Sequence, residues 1–311
     1  MARSFKPPVA LIAGPTASGK SGLALVLAEA TGGVIVNADS AQIYRDLPIL
    51  SAAPGKEDLR RAEHRLYGVA DGAVAMTAAD WAELARAAIA GAHAQDRLPI
   101  LVGGTGLYLR TLIDGIAPVP AIDPAIQAEV RAADVAANRD RLLKADPEAA
   151  ARLGPADTAR IARALEVVLS TGRPLKAWQA EHSGGIGQSI ELRPLILLPP
   201  RDWLYARCDA RFAAMAEAGA VDEVRRLLSR DLAPSLPVMR AIGVREFAAY
   251  IRGEQSLDEA IAAGQQATRN YAKRQYTWFA HQPSKDWPRF DEPINAPDAF
   301  ERALELLGAR A

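Results

Sequence analysis

The sequence predicts an α/β fold in which a parallel sheet carries helices on both faces and a helical domain is inserted partway along the chain. Three observations point there. Short, continuous apolar runs end in glycine or turn residues, as strands buried on both faces do. Segments with helical apolar spacing separate those runs. Between Pro118 and Ser189 the strand-like runs cease, and only helical segments remain.

In chain order, Val9–Ala13 (VALIA) reads as a first strand closing on a Gly/Pro turn. Residues 20–30 (KSGLALVLAEA) have helical spacing and stop before Gly32 and Gly33. Val34-Ile35-Val36 reads as a second strand, followed by Asn37-Ala38-Asp39-Ser40. Residues 78–94 are alanine-rich and periodic, and Pro99–Val102 (PILV) is a third strand ending in Gly103-Gly104. Helices are expected in the insertion at about 125–145, 147–153 and 157–171, the last stopped by Gly172 with Pro174 beyond. Pro194–Leu198 (PLILL) returns to the core, the chain is then helical to about Phe279, and a final helix is expected near 296–307. The core is therefore placed at 1–117 and 190–311, and the helical insertion at 118–189.

Gly14-Pro15-Thr16-Ala17-Ser18-Gly19-Lys20-Ser21 fits G-x-x-x-x-G-K-[ST] and lies between a predicted strand and a predicted helix. Glycines there let backbone N–H groups curl around a phosphate, and the helix N-terminus adds the positive end of its dipole. Lys20 supplies a point charge, and the Ser21 hydroxyl is a ligand suited to Mg²⁺. The core is accordingly expected to be P-loop NTPase-like. The loop identifies a phosphate and not the rest of the ligand, so ATP, GTP and other diphosphates stay open.

Asp39 ends the second strand, so in a parallel sheet it projects from the same carboxyl edge as the loop. There it can ligate Mg²⁺ through water, hold a substrate group, act as a general base, or simply cap a following helix. Gly103-Gly104-Thr105-Gly106 ends another strand on that edge. Residues 265–282 form a helical segment with Arg269, Lys273 and Arg274 and no acidic residue, interleaved with Tyr271, Tyr276, Trp278 and Phe279. Arg269 and Lys273 are four apart and share a face. Basic residues beside aromatics suit a looped RNA, or else a core helix with a solvated basic rim.

Composition excludes some classes. Half of the 311 residues are hydrophobic, enough for a sizeable core. Lys plus Arg and Asp plus Glu number 37 each, and this neutral balance leaves a nucleic-acid partner open, because a polyanion needs only a local basic patch. The single cysteine, Cys208, forms no intrachain disulfide. His64, His93, His182 and His281 lack metal-ligand spacing, and Trp81 and Trp178 sit at helical packing positions. No apolar run approaches the ~18 residues that span a bilayer, and Val9–Ala13 is too short for a signal peptide, so no membrane partner and a cytoplasmic location are expected.

The combination of motifs resembles the tRNA dimethylallyltransferases, also called tRNA isopentenyltransferases. The matching stretches are GPTASGKS (14–21), NADSAQIYRDL (37–47), ILVGGTGLYLRTL (100–112), DTARIARALEV (157–167) and STGRPL (170–175). RFAAMAEAGAVDEVRRL (211–227), PVMRAIGVREF (237–247) and ATRNYAKRQYTWF (267–279) complete the set. They fall in the family's order from Gly14 to Phe279. One departure is ILSAAP at 49–54, where many members carry a stretch like IGTAKP; Ser51 and Ala53 stand in for Thr and Lys and receive no catalytic role.

The resemblance implies dimethylallyl diphosphate with Mg²⁺ at the phosphate loop. It implies an acceptor adenosine next to the anticodon on its 3′ side, position 37 of tRNAs reading codons that begin with U. The product is then N6-(dimethylallyl)adenosine. By resemblance Asp39 is the base, Thr105 a hydroxyl near the reacting centre, and Arg211 added positive charge on the diphosphate. Also by resemblance, Asp39, Ser40, Ala41 and Gln42, Thr105, Gln127, and Ala159, Arg160, Ile161, Ala162 and Arg163 contact the anticodon stem-loop, with Arg269, Lys273 and Arg274 joining them. Arg160 and Arg163 are three apart and suit one helical face reaching phosphates. A monomer is expected. The runner-up is a small-molecule kinase using ATP, which explains the loop and Asp39 equally well and the helix at 265–282 poorly; a non-catalytic RNA-binding NTPase-like protein is a third reading.

Overall fold

An apolar run without a polar face needs cover on both sides, and the sheet supplies it. The computed structural model describes residues 6–308, which fall into two compact units: residues up to 111 together with 187 onward, and residues 112–186. The first part of the chain runs β1 (Pro8–Ala13), α1 (Lys20–Thr31), β2 (Val34–Asn37), α2 (Lys56–Arg61), β3 (Glu63–Arg65), α3 (Ala78–His93), β4 (Pro99–Gly103) and α4 (Gly106–Ile113). Then come α5 (Pro124–Ala132), α6 (Val135–Ala145), α7 (Pro147–Arg152), α8 (Thr158–Thr171) and α9 (Leu175–Gln179). The chain continues with β5 (Glu191–Leu197), α10 (Arg201–Glu217), α11 (Ala220–Leu228), a 3₁₀ turn (Pro237–Arg240), α12 (Val244–Ile251), α13 (Leu257–His281), β6 (Arg289–Phe290) and α14 (Pro297–Leu306). No helix among the described residues is long and apolar enough to cross a membrane.

In the larger unit six strands pair in the order β3-β2-β4-β1-β5-β6, and every pairing is parallel. Register decides where the loops go. Ala13 lies opposite Gly103, and Asn37 opposite Val102, so the chain leaves β1, β2 and β4 at one level and at one edge. Ala10, Ile12, Ile35 and Ile100 pack with Leu23 and Leu27 of α1 and Leu304 of α14. Trp81 of α3 is fully buried; its Nε1 donates to the Asn37 carbonyl at 2.9 Å and its ring stacks on Tyr108 at 4.6 Å. Trp81 is therefore a packing residue, as expected. The edge strands β3 and β6 went unread in the sequence because they are only three and two residues long, and β3 is polar throughout.

Helices α10 and α13 pack closely because Gly264 leaves room for an aromatic ring. A Cβ built at Gly264 would come within 2.0 Å of Phe212 Cζ. Gly264→Ala is expected to lose roughly 1–3 kcal/mol through overpacking, more than the ~1 kcal/mol that alanine gains in helix propensity. Thermal unfolding checks this; an unchanged Tm would mean that Phe212 yields freely.

The smaller unit is helical, with Val130, Leu142, Ile161 and Leu165 at its centre. Asp123, Asp134 and Asp146 cap α5, α6 and α7, accepting from the backbone N–H groups of Ala125, Ala137 and Ala149. This corrects the single helix expected over 125–145. Ala133 is extended, and Asp134 spends its carboxylate on a cap, which offers the backbone a better partner than continuing the helix. Glu166 is nearly fully buried and meets Arg131 at 3.0 Å and Arg163 at 3.8 Å. Gly172 ends α8 at φ 67°.

Candidate active site

The loop after β1 takes its shape from its glycines. Gly14 has φ 150°, and a Cβ there would lie 2.5 Å from the Leu197 carbonyl oxygen of β5. Gly19 opens α1 in the left-handed region at φ 96°; within the loop Ala17 is also left-handed at φ 63°, a conformation that costs a non-glycine residue energy. Lys20 Nζ donates to the Pro15 carbonyl at 2.6 Å. Burial pulls the Lys20 ammonium down to about 8; Asp39 opposes that shift and Arg211 adds to it. Ser21 is exposed on the first turn of α1, whereas the Ser18 hydroxyl is buried and has no partner.

The loops after β2 and β4 are joined by hydrogen bonds. Asn37 Oδ1 accepts from the Asp39 N–H at 2.8 Å, and Asn37 Nδ2 donates to the Asp39 carbonyl at 3.0 Å. Asp39 Oδ1 accepts from the Ala41 N–H at 2.9 Å, which leaves Oδ2 for a ligand. No helix follows directly; residues 40–52 are mostly turns, with a bridge at Tyr44, so Asp39 is not a helix cap. Thr105 Oγ1 accepts from the Ser40 N–H at 3.0 Å and donates to Ser40 Oγ at 3.2 Å. The loops approach so closely that a Cβ on Gly103 would lie 2.1 Å from the Ala38 carbonyl oxygen.

Helices α10 and α13 complete the site. Arg211 Nη2 donates to Thr16 Oγ1, and burial lowers the Arg211 pKa from its usual value. Gln275 accepts from the Thr16 N–H through Oε1 at 2.8 Å and donates from Nε2 to the Gly104 carbonyl at 2.8 Å. Tyr271 reaches Thr105, and its phenol is raised above the usual range by burial and then by the Asp39 charge, so it stays protonated. The roles of Gln275 and Tyr271 were not anticipated from sequence, although both lie inside the segment singled out as basic and aromatic.

Several of these groups line a cavity of about 340 Å³. Thr16, Asp39, Ser40, Arg211, Tyr271 and Arg274 supply its polar wall, and Leu47, Leu50, Met76, Phe212, Met215 and Ile242 its apolar wall. Its charge is positive, since Arg211, Arg240 and Arg274 face a single carboxylate, Asp39. Of the α13 cations, Arg269 is held in an ion pair with Asp209, Lys273 is exposed, and Arg274 lies over the Tyr271 ring at 5.8 Å. Gln42 spends both amide hydrogens on the Ser51 and Ala52 carbonyls, at 3.0 and 2.7 Å. The remaining expected residues belong to the helical unit. Gln127 is half-buried on α5; on α8, Ala159, Arg160 and Arg163 are exposed and Ala162 is half-buried. Ile161 is fully buried in that unit's core. Arg160 pairs with Asp157 at 3.1 Å.

A Mg²⁺ ion fits this donor set in one manner. Among the described residues no trio of His, Cys, Asp or Glu could hold a cation unaided. The loop offers the exposed Ser21 hydroxyl beside the Thr16 and Ser18 hydroxyls, and Asp39 is a carboxylate at the same sheet edge, so the ion would need further oxygens from diphosphate and water, as Mg²⁺ prefers.

A family model described as IPP transferase matches residues 42–282. The chain is 60% identical over 299 residues to a protein of Sphingopyxis alaskensis named tRNA dimethylallyltransferase, covering 96% of this chain and 98% of that one. A protein of the same name from Zymomonas mobilis is 51% identical over 302 residues, with 97% of each covered. Among solved structures, the full-length tRNA isopentenylpyrophosphate transferase of Bacillus halodurans superposes with a TM-score of 0.70 at 32% identity, covering 98% of this chain and 95% of that one. A eukaryotic dimethylallyltransferase, described as acting on tRNA, superposes with a TM-score of 0.75 at 27% identity, covering 88% of this chain and 69% of that one. These neighbours share the P-loop NTPase-like fold.

Proposed function

Because this chain belongs to the IPP transferase family, we propose that it transfers a dimethylallyl group from dimethylallyl diphosphate to N6 of the tRNA adenosine 3′-adjacent to the anticodon. One observation carries the reading: Thr16 and Arg211, the Asp39 carboxylate, and an apolar wall all line the same cavity. A diphosphate sits against the polar wall while the five-carbon group lies among Leu47, Leu50, Phe212 and Met215.

The N6 lone pair of the adenine attacks C1 of the prenyl group, and the C1–O bond breaks with its electron pair leaving on the diphosphate. Lys20, Arg211 and the loop N–H groups stabilise that growing charge. The proton shed by N6 passes to Asp39 Oδ2. Thr105, tied to Ser40 and Tyr271, presents its hydroxyl beside the reacting amine. Mg²⁺, held by Ser21 and the diphosphate, would supply further charge neutralisation on the leaving group.

The base reaches this cavity only when turned out of its stack, which costs a few kcal/mol and least in a single-stranded loop such as the anticodon loop. Lys273 and Arg274, with Arg160 and Arg163 of the helical unit, contact RNA phosphates; Ser40, Ala41, Gln42 and Gln127 contact the loop. Gln42 does so through Oε1, its amide hydrogens being engaged. In this reading the protein acts as a monomer, and a tRNA acceptor fits a cytoplasmic location. Incubating the protein with tRNA, Mg²⁺ and dimethylallyl diphosphate and analysing the nucleosides by mass tests this. An N6-(dimethylallyl)adenosine at position 37 is expected; unmodified adenosine under conditions where tRNA binds would refute it.

A further inference from the structure

Helix α11 carries a residue that its own packing does not call for. Its buried face consists of Ala220, Val224 and Leu227, yet Glu223 lies on that face only 1% exposed. A carboxylate desolvated to that degree is costly unless its oxygens are used. Both are used far along the chain: Oε1 accepts from the Ile49 N–H at 2.8 Å and Oε2 from the Leu50 N–H at 2.9 Å. Burial pushes the Glu223 carboxyl up, and these two N–H groups oppose the shift.

The segment so gripped is a tight coil with anchors on more than one side. Ser51 donates its N–H to Leu47, Ala52 to Ile49 and Ala53 to Pro48. Ala52 sits at φ 53°, a left-handed conformation rarely taken by alanine. Gln42 holds the Ser51 and Ala52 carbonyls. Gly243, at φ 96°, lies so close that a Cβ there would be 2.5 Å from Leu50 Cδ2. Leu47, Leu50 and Ser51 of this coil all line the cavity. A strained coil needing this much fixing has a defined place to hold.

We propose that Glu223 is a positioning residue that sets the apolar wall of the cavity, fixing Leu50 and Ser51 at the depth that admits a five-carbon chain and rejects longer ones. This rests on the prenyl-transfer reading of the cavity. Glu223→Gln keeps size and one acceptor but turns an NH₂ group towards a backbone N–H, so one of the two bonds is lost. The expected result is a KM for dimethylallyl diphosphate raised about tenfold and discrimination against geranyl diphosphate reduced by a similar factor. Inhibition by inorganic diphosphate should be unchanged, because the loop after β1 is untouched. Amide exchange at Ile49 and Leu50 should quicken.

Leu50→Ala opens the same wall from the cavity side and should shift chain-length preference the same way, which keeps the proposal testable if Glu223→Gln fails to fold. Unchanged KM and selectivity in either folded variant would overturn it. So would diphosphate inhibition weakening in step with KM, since that marks a general loosening. If the wild-type protein transfers no prenyl group, the functional reading fails instead, and amide exchange still reports whether Glu223 holds the coil.

Discussion

Replacing Asp39 by alanine is expected to slow prenyl transfer by about 10²–10⁴-fold, the usual worth of a positioned acid–base group, with tRNA affinity largely kept. The adenine N6 amine is conjugated to the purine ring and nucleophilic only as it sheds a proton. Asp39 Oδ1 is already committed to the Ala41 N–H, so Oδ2 is the atom we propose as its acceptor. Asp39→Asn is the sharper variant. It can still accept from Ala41 and keeps the shape of the turn, but it takes no proton, so its rate should fall nearly as far as that of the alanine variant. Single-turnover rates with preformed tRNA complex read this directly, and an unchanged rate would remove Asp39 from the mechanism.

The second large effect belongs to Lys20. Lys20→Met should lower kcat/KM for dimethylallyl diphosphate by on the order of 10³, as the loss of a preorganised charge at a leaving group does. The wild-type protein adds a signature in pH. Burial holds the free lysine at about 8, whereas a bound diphosphate favours the charged ammonium and raises that value. Below pH 8 the lysine is protonated both free and bound, and affinity carries no dependence from it. Above pH 8 binding must take up a proton, so diphosphate affinity should fall by up to about tenfold per pH unit until the raised pKa of the complex is passed. Calorimetric titration of inorganic diphosphate from pH 7 to 10 measures the slope. Persistence of the same slope in Lys20→Met would assign it to another group.

The strands that matter most were legible because their cause is local. VALIA, VIV and PILV are apolar on both faces and end in Gly14, Asn37 and Gly103, so a parallel sheet with three loops at one edge follows from pattern alone. β3 and β6 were invisible because they are only three and two residues long, too short for a period to show, and β3 is wholly polar. The break at Ala133 hid behind apolar periodicity, which a capping aspartate interrupts without changing.

Within the site, Lys20 and Asp39 announce themselves by motif and strand end. Gln275 and Glu223 do not, because their bonds reach partners 259 and 174 residues away along the chain. A buried glutamate in a helix looks like any solvated one until its neighbours are known.

Gln275 has one further consequence. Its side chain is bonded at one end to the loop after β1 and at the other to the loop after β4, and it is nearly fully enclosed. The gap between the grip on the departing group and the Thr105 hydroxyl is thus a built-in gauge. It is set when the chain folds and does not wait for either reactant to arrive.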